Sequence, residues 1–166
     1  MYQVNETIFY GSEGVCRIAD ISERRFDDKT IEYFVLKPVF QNKALVYVPR
    51  DNEKLRERMR HVLDTDEVQE LLDEFVNFEL INIPGIRERK LEYQRILQSC
   101  DYRELSRLVK TLYTHKREAE IEGKRLPMWE ERVRKEAAKV LFSEFAYALK
   151  VEPTQIEDHI IDLIDP

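Results

Sequence analysis

The sequence predicts an α+β protein, with a small N-terminal β-barrel at residues 1–50 and an all-α helical domain at residues 51–166. Three observations predict this division. Short apolar runs separated by turn residues fill the first part, the apolar period changes to 3.6 residues after Pro49, and only four of the 166 residues are glycine. An apolar content of 43% is sufficient for packed cores in both parts.

The N-terminal part contains four expected strands, at residues 7–10, 14–23, 30–40 and 44–49. Clusters of small and polar residues separate them, as hairpin turns require. The third strand is apolar on both faces between Ile31 and Leu36, which is typical of a strongly curved or doubly covered sheet. A segment of about fifty residues buries only a small core, which favours a five-stranded barrel resembling an SH3 or Tudor domain.

Five helices are expected after residue 50. The apolar spacing of residues 68–76 predicts the first, and the second runs from about Arg87 to Gln98 after the Pro84-Gly85 break. Asp101 is the expected N-cap of the third helix, which ends before Gly123. The fourth helix starts near Pro127, and Pro153 suits the first turn of the last.

The charge distribution is uneven along the chain. The formal net charge is −6, yet residues 86–140 carry 15 basic and 10 acidic side chains, and residues 151–166 carry five acidic and no basic ones. A basic middle of this kind is compatible with a local nucleic-acid contact, although the whole chain is acidic. The N-terminus lacks the pattern of a signal peptide, so we expect a cytoplasmic protein without membrane contact.

No enzymatic motif is present in the sequence. It has no phosphate-binding G-x-x-x-x-G-K-[ST] loop, no G-x-G-x-x-G and no H-E-x-x-H. His61, His115 and His159 fall in different predicted elements, and Cys16 and Cys100 are too far apart in sequence for a zinc motif. We therefore expect neither catalytic residues nor a metal site or cofactor, and two reduced thiols.

The order of several segments gives a resemblance to a known family. Residues 1–10, 14–18, 32–37 and 45–49 in the N-terminal part are similar to the CarD family, and specifically to the RNA polymerase-interacting module that it shares with the transcription-repair coupling factor. Residues 96–101, 104–113 and 137–141 extend the resemblance through the helical part. Both predicted domains are therefore covered in the expected order.

The resemblance implies that the barrel docks on the β subunit of bacterial RNA polymerase through an exposed strand edge. Arg24, Phe26 and Tyr47 correspond by position to the polymerase contact. Tyr47 departs from the family pattern, because many relatives have a basic residue there. For Phe26 and Tyr47 the alternative interpretation is packing in the barrel core, which aromatic side chains fill well.

The resemblance further implies that the helical domain lies against DNA at the upstream edge of the melted promoter bubble. The candidate DNA contacts are Ile86, Arg87, Arg89, Lys90, Arg95, Arg103, Arg107 and Lys110. Family members commonly place a tryptophan before this basic segment as a minor-groove wedge, and this sequence has none there. Ile83 and Ile86 are the candidate substitutes for it, and Trp129 is expected to pack within the helical domain.

The basic candidates also have a structural interpretation, as a solvated helix face with ion pairs such as Glu92 with Arg95. The leading prediction is a monomeric, non-catalytic transcription regulator that binds RNA polymerase β and promoter DNA with weak sequence preference and modulates open-complex stability. It would associate with the nucleoid through the polymerase. The alternative is a polymerase-bound adaptor whose helical domain contacts another protein and does not bind DNA.

Overall fold

The N-terminal part of the chain forms one antiparallel sheet. The computed structural model describes residues 2–42 and 44–166, so residues 1 and 43 of the predicted N-terminal domain lie outside the described residues. The strands are β1 (Thr7–Tyr10), β2 (Gly14–Phe26), β3 (Lys29–Pro38), β4 (Val46–Pro49) and β5 (Met59–His61), and their order in the sheet is β4-β3-β2-β1-β5. The α+β prediction is confirmed.

The sheet is open, which corrects the prediction of a barrel. Among the described residues no ladder joins β4 to β5, which are the two edges of the sheet. Both strands are short, and the helical turn α1 (Glu53–Arg56) lies between them in the chain, so few backbone groups are available to close the sheet. A register shift in β2 between Ile18 and Asp20 marks the bulge at which the long β2–β3 hairpin bends.

Five longer helices follow the sheet. They are α2 (Thr65–Glu74), α3 (Ile86–Gln98), α4 (Tyr102–Ile121), α5 (Met128–Leu149) and α6 (Pro153–Ile164). All five predicted helices are therefore present, whereas α1 and β5 were not predicted. None of the helices in residues 2–42 and 44–166 has the length and apolarity needed to cross a bilayer.

Local sequence signals explain several helix ends. The Asp101 carboxylate accepts hydrogen bonds from the amides of Arg103 and Glu104, at 2.9 and 3.1 Å, and so caps α4 as predicted. At the other end Gly123 has a φ of 69°, and the Lys124 amide donates to the Ala119 carbonyl at 2.7 Å. This Schellman arrangement requires a residue that tolerates positive φ, which glycine does.

Two apolar clusters fill the interior. One lies on the inner face of the sheet and contains residues such as Ile18, Phe34 and Leu36. The larger one lies among the helices and also includes Phe9 of β1, so it extends onto the sheet. Gly14 begins β2 beside α5, where a Cβ would lie 3.8 Å from the Val140 Cα, and its φ of 75° suits glycine. The sheet and the helices therefore share a packed interface.

Candidate functional site

The three residues predicted to bind polymerase lie together on the outer face of the sheet. Arg24 donates a hydrogen bond to the Tyr47 hydroxyl at 2.9 Å, and its guanidinium carbon lies 4.4 Å from the centre of that ring. Tyr33 joins the group, with ring centres 6.4 Å from Phe26 and 6.2 Å from Tyr47. We call Arg24, Phe26, Tyr33 and Tyr47 the aromatic patch.

The alternation of side chains along the strands explains why the patch forms. Tyr33 pairs with Ser22 of β2, and Val35 pairs with Tyr47 of β4. Tyr33 and Val35 are two positions apart on β3, so the side chains of Tyr33 and Tyr47 lie on the same face of the sheet. Every second residue of β2 from Ser22 onward, which includes Arg24 and Phe26, points to that face as well. Phe26 is 52% exposed and Tyr47 40% exposed. These exposures exclude the alternative in which both side chains belong to the core.

An unpaired strand edge borders the aromatic patch. Within residues 2–42 and 44–166, β4 pairs only with β3, and the Arg50 amide donates to the Glu32 carbonyl at 2.8 Å. Because hydrogen-bonded and non-hydrogen-bonded pairs alternate in antiparallel strands, Tyr47 and Val35 form a non-hydrogen-bonded pair. The N–H and C=O of Tyr47 therefore point away from β3. The next such position is Pro49, which has no N–H.

The predicted DNA-binding residues do not form one free basic surface. Arg95 contacts Glu92 at 2.6 Å and Glu104 at 2.9 Å, and Arg103 pairs with Glu74. Hydrogen bonds from Arg95 hold the pKa of the Glu92 carboxyl below its usual value. The predicted Glu92 to Arg95 pair is thus present, and both arginines have acidic partners within the chain.

Arg107 and Lys110 hold the connection between α2 and α3. The Lys110 ammonium donates to the carbonyls of Val76 and Phe78, at 2.7 and 2.6 Å, and Arg107 donates to the carbonyl of Glu79 at 2.7 Å. Partial burial lowers the pKa of Lys110. These bonds satisfy carbonyls in and just after the 3-10 turn Phe75–Asn77 that follows α2, so both side chains have a structural role. Contact of either with DNA stays a prediction.

The start of α3 carries four residues of the predicted DNA-binding set. Ile86, Arg87 and Lys90 are exposed. Arg89 instead points inward and pairs with the buried Glu130 carboxylate at 3.1 Å. Of the two candidate wedge residues, Ile86 is 56% exposed whereas Ile83 packs against the helical core.

Trp129 lies in the first turn of α5, beside the start of α3. Arg89 and Lys90 stack on its ring, at 5.4 and 5.1 Å from the ring centre, and the Tyr93 ring centre is 6.0 Å away. Trp129 is partly buried against the helical core, which confirms that it packs. The start of α3 and the start of α5 are therefore adjacent.

A basic cleft that the sequence candidates did not include lies between α4 and α5. It has a volume of about 780 Å³ and is lined by five basic side chains, which are Lys116, Lys124, Arg125, Arg132 and Lys135. Glu120 and Glu131 also line it. The excess of basic residues in 86–140 was the signal for this cleft, but it did not identify which side chains converge. We call this region the α4–α5 cleft.

An exposed aromatic surface beside an unpaired strand edge is characteristic of a module that docks on another protein. A family model described as CarD-like/TRCF RID domain matches residues 2–63, which include the whole sheet and end just after β5. A comparison with curated protein sequences gives no match.

This domain places the chain in the class of transcription proteins that interact with RNA polymerase. The match to the CarD-like/TRCF RID domain model over residues 2–63 confirms the resemblance seen in the N-terminal part of the sequence.

Proposed function

We propose that the protein is a non-catalytic transcription regulator that binds the β subunit of RNA polymerase and modulates the stability of the promoter open complex. The aromatic patch and the outer edge of β4 contact the polymerase. The start of α3 and the α4–α5 cleft contact promoter DNA. The observation that carries the proposal is the β4 edge beside the aromatic patch, which pairs with no other strand among the described residues and lies inside the matched domain.

Edge pairing and aromatic packing supply different parts of the polymerase contact. The N–H and C=O of Tyr47 offer hydrogen bonds to a strand of the partner. The rings supply buried area, and aromatic residues and arginine are enriched among the residues that dominate binding energy. Because Arg24 is already stacked on Tyr47, little side-chain freedom remains to be lost on binding.

The DNA contact is electrostatic in this proposal. Arg87 and Lys90 are exposed at the start of α3, and the α4–α5 cleft begins at the neighbouring first turn of α5. Basic side chains that contact phosphates fix the position of a protein on DNA without reading the base sequence. Such binding suits a factor that acts at many promoters.

Replacement of Tyr47 by glutamate tests the polymerase contact. We expect the Tyr47→Glu variant to fold normally, because the side chain is exposed, and to bind RNA polymerase and the isolated β lobe about thirtyfold more weakly, as for a hot-spot residue worth about 2 kcal/mol. The affinities are measured by biolayer interferometry, and folding by thermal unfolding.

Tyr147→Glu is the matched control, because Tyr147 is 39% exposed on α5, far from the patch in the chain. It should bind as tightly as the wild type. Equal affinities of the two variants for polymerase would refute the contact, as would unfolding of Tyr47→Glu at a far lower temperature than the wild type.

A salt titration tests the DNA contact and separates it from the adaptor alternative. We expect the affinity for forked promoter DNA to fall steeply with salt, and Lys124→Glu combined with Arg125→Glu to reduce the slope of log K against log salt by about 2. Lys54→Glu with Arg56→Glu on α1 makes the same change in net charge and should leave the slope unchanged. No measurable DNA binding by the wild type at low salt would favour the adaptor, which the internal partners of Arg95 and Arg103 also support.

A further inference from the structure

A buried ion pair joins the sheet to the helices. The Arg60 guanidinium on β5 contacts both oxygens of the Glu144 carboxylate on α5, at 2.6 and 2.7 Å. The Glu144 side chain is fully buried, and that of Arg60 is 19% exposed. Most of the other ion pairs in the described part of the chain lie closer to the surface, and this one connects the matched domain to the longest helix.

The surroundings of the pair connect further segments. Arg60 also donates from Nε to the Cys100 carbonyl at 2.7 Å, just before α4, and its guanidinium carbon lies 4.0 Å from the centre of the Phe9 ring on β1. The Glu144 carboxylate accepts a third hydrogen bond, from the Leu63 amide at 3.1 Å. Segments of the sheet, α5 and the start of α4 therefore meet at one hydrogen-bonded centre.

The geometry of this pair suits it to fix an angle. A buried ion pair adds little net stability over an apolar pair of similar volume, because desolvation offsets the attraction. A bidentate arginine–carboxylate contact is nevertheless planar and directional, so it restricts rotation as well as distance. An apolar contact allows more sliding at the same packing density.

The position of Glu144 on α5 amplifies any rotation. The first turn of α5, where the α4–α5 cleft begins, is 13 or more residues away along the helix, or about 20 Å at 1.5 Å per residue. A rotation of about 10° at Glu144 would shift that turn by roughly 3 Å, which is the length of a hydrogen bond. The aromatic patch lies on β2, β3 and β4, toward the opposite edge of the sheet from β5 and Arg60.

We propose that Arg60 and Glu144 are positioning residues that fix the angle between the polymerase-binding sheet and the DNA-binding helices, and so couple the two contacts. This inference rests on the proposed function. Loss of the pair leaves each surface intact but removes their fixed relation, so polymerase still binds while the effect on the promoter is lost.

The test uses Arg60→Met combined with Glu144→Gln in the full chain. The double variant has no charge at the position of the Arg60–Glu144 pair, and the glutamine oxygen still accepts a hydrogen bond from the Leu63 amide. Arg60→Lys is a second variant, which keeps the charge but loses the bidentate contact.

Spin labels at Lys37→Cys and Glu122→Cys, with Cys100→Ser, report the distance between sheet and helices. Burial raises the pKa of the Cys16 thiol to about 12, so that thiol does not react with the label.

We expect a narrow distance distribution in the wild type and one at least twice as broad in the double variant, with Arg60→Lys intermediate. Glu92→Gln is the matched control, because it breaks a bidentate pair with Arg95 that lies within α3, and it should leave the distribution unchanged. In transcription assays the double variant should bind polymerase within about twofold of the wild type and lose the change in open-complex lifetime.

An unchanged distance distribution would overturn the inference, because the pair would then not set the angle. A broadened distribution with a normal effect on open-complex lifetime would overturn it too, because the angle would then not matter. If the wild type fails to bind polymerase, the proposed function fails instead, and the distance measurement still decides whether the pair fixes the angle.

Discussion

The aromatic patch and the basic face of the helices present their functional groups in opposite ways. On the sheet, Phe26 and Tyr47 are exposed, and within residues 2–42 and 44–166 the neighbouring strand edge has no pairing strand. On the helices, Arg95, Arg103 and Lys110 already contact carboxylates or carbonyls of the same chain. Exposed rings and free backbone groups indicate a binding surface, whereas a basic helix face combines structural and free charges.

The basic residues of α3 and α4 are therefore not equivalent. Lys110 satisfies two carbonyls, Arg95 takes part in surface ion pairs, and Arg87 is exposed with no partner among the contacts of the described residues. Their contributions to stability should therefore decrease in that order. Three substitutions test this order in the same unfolding assay.

Lys110→Met should have the largest effect. The variant keeps the side-chain length but leaves the carbonyls of Val76 and Phe78 without their donor. Hydrogen bonds to charged groups contribute about 1.5–3 kcal/mol each. Because Lys110 is only partly buried, solvent screening reduces the sum of its two bonds, and we expect a loss of about 2–3 kcal/mol in the free energy of unfolding. Urea denaturation measures it, and a loss below that of Arg95→Gln would contradict the structural role of Lys110.

Arg95→Gln should have an intermediate effect. The Arg95 side chain is 52% exposed, so its pairs with Glu92 and Glu104 are screened by solvent. Exposed pairs of this kind contribute about 0.2–1 kcal/mol. We expect a loss in this range at low salt, and a smaller one in 1 M NaCl. A loss that does not depend on salt would show that the contribution is not ionic.

Arg87→Gln should have the smallest effect on folding, below about 0.5 kcal/mol, as is usual for surface substitutions. The same variant should weaken binding to forked promoter DNA, because it removes the phosphate contact proposed for Arg87. Destabilisation as large as that of Lys110→Met would show that Arg87 has a structural partner. The distinction between basic side chains with partners in the chain and exposed ones would then fail.

Much of the fold was predictable because its signals are local. The capping of α4 by Asp101, the glycine after its end and the proline that opens α6 all depend on residues a few positions apart. Strand β5 was missed because Met59–His61 is too short for a period to be visible, and its pairing with β1 is a long-range contact. The sheet is open because β5 pairs with β1 and, among the described residues, not with β4, and this too is a long-range feature.

The site was only partly predictable for the same reason. The family resemblance identified Arg24, Phe26 and Tyr47, which the structure brings together with Tyr33. Sequence spacing does not show that Lys110 reaches carbonyls more than thirty residues earlier in the chain. The α4–α5 cleft likewise depends on the angle between two helices, which composition does not specify.

Amide hydrogen exchange at Tyr47 tests most directly whether polymerase completes the β4 edge. The Tyr47 amide points away from β3 and should exchange quickly in the free protein, whereas that of Val48 is already bonded within the sheet. Saturation with RNA polymerase should slow exchange at Tyr47 by at least about tenfold, with little change at Val48. Unchanged exchange at Tyr47 in a saturated complex would contradict edge pairing at β4.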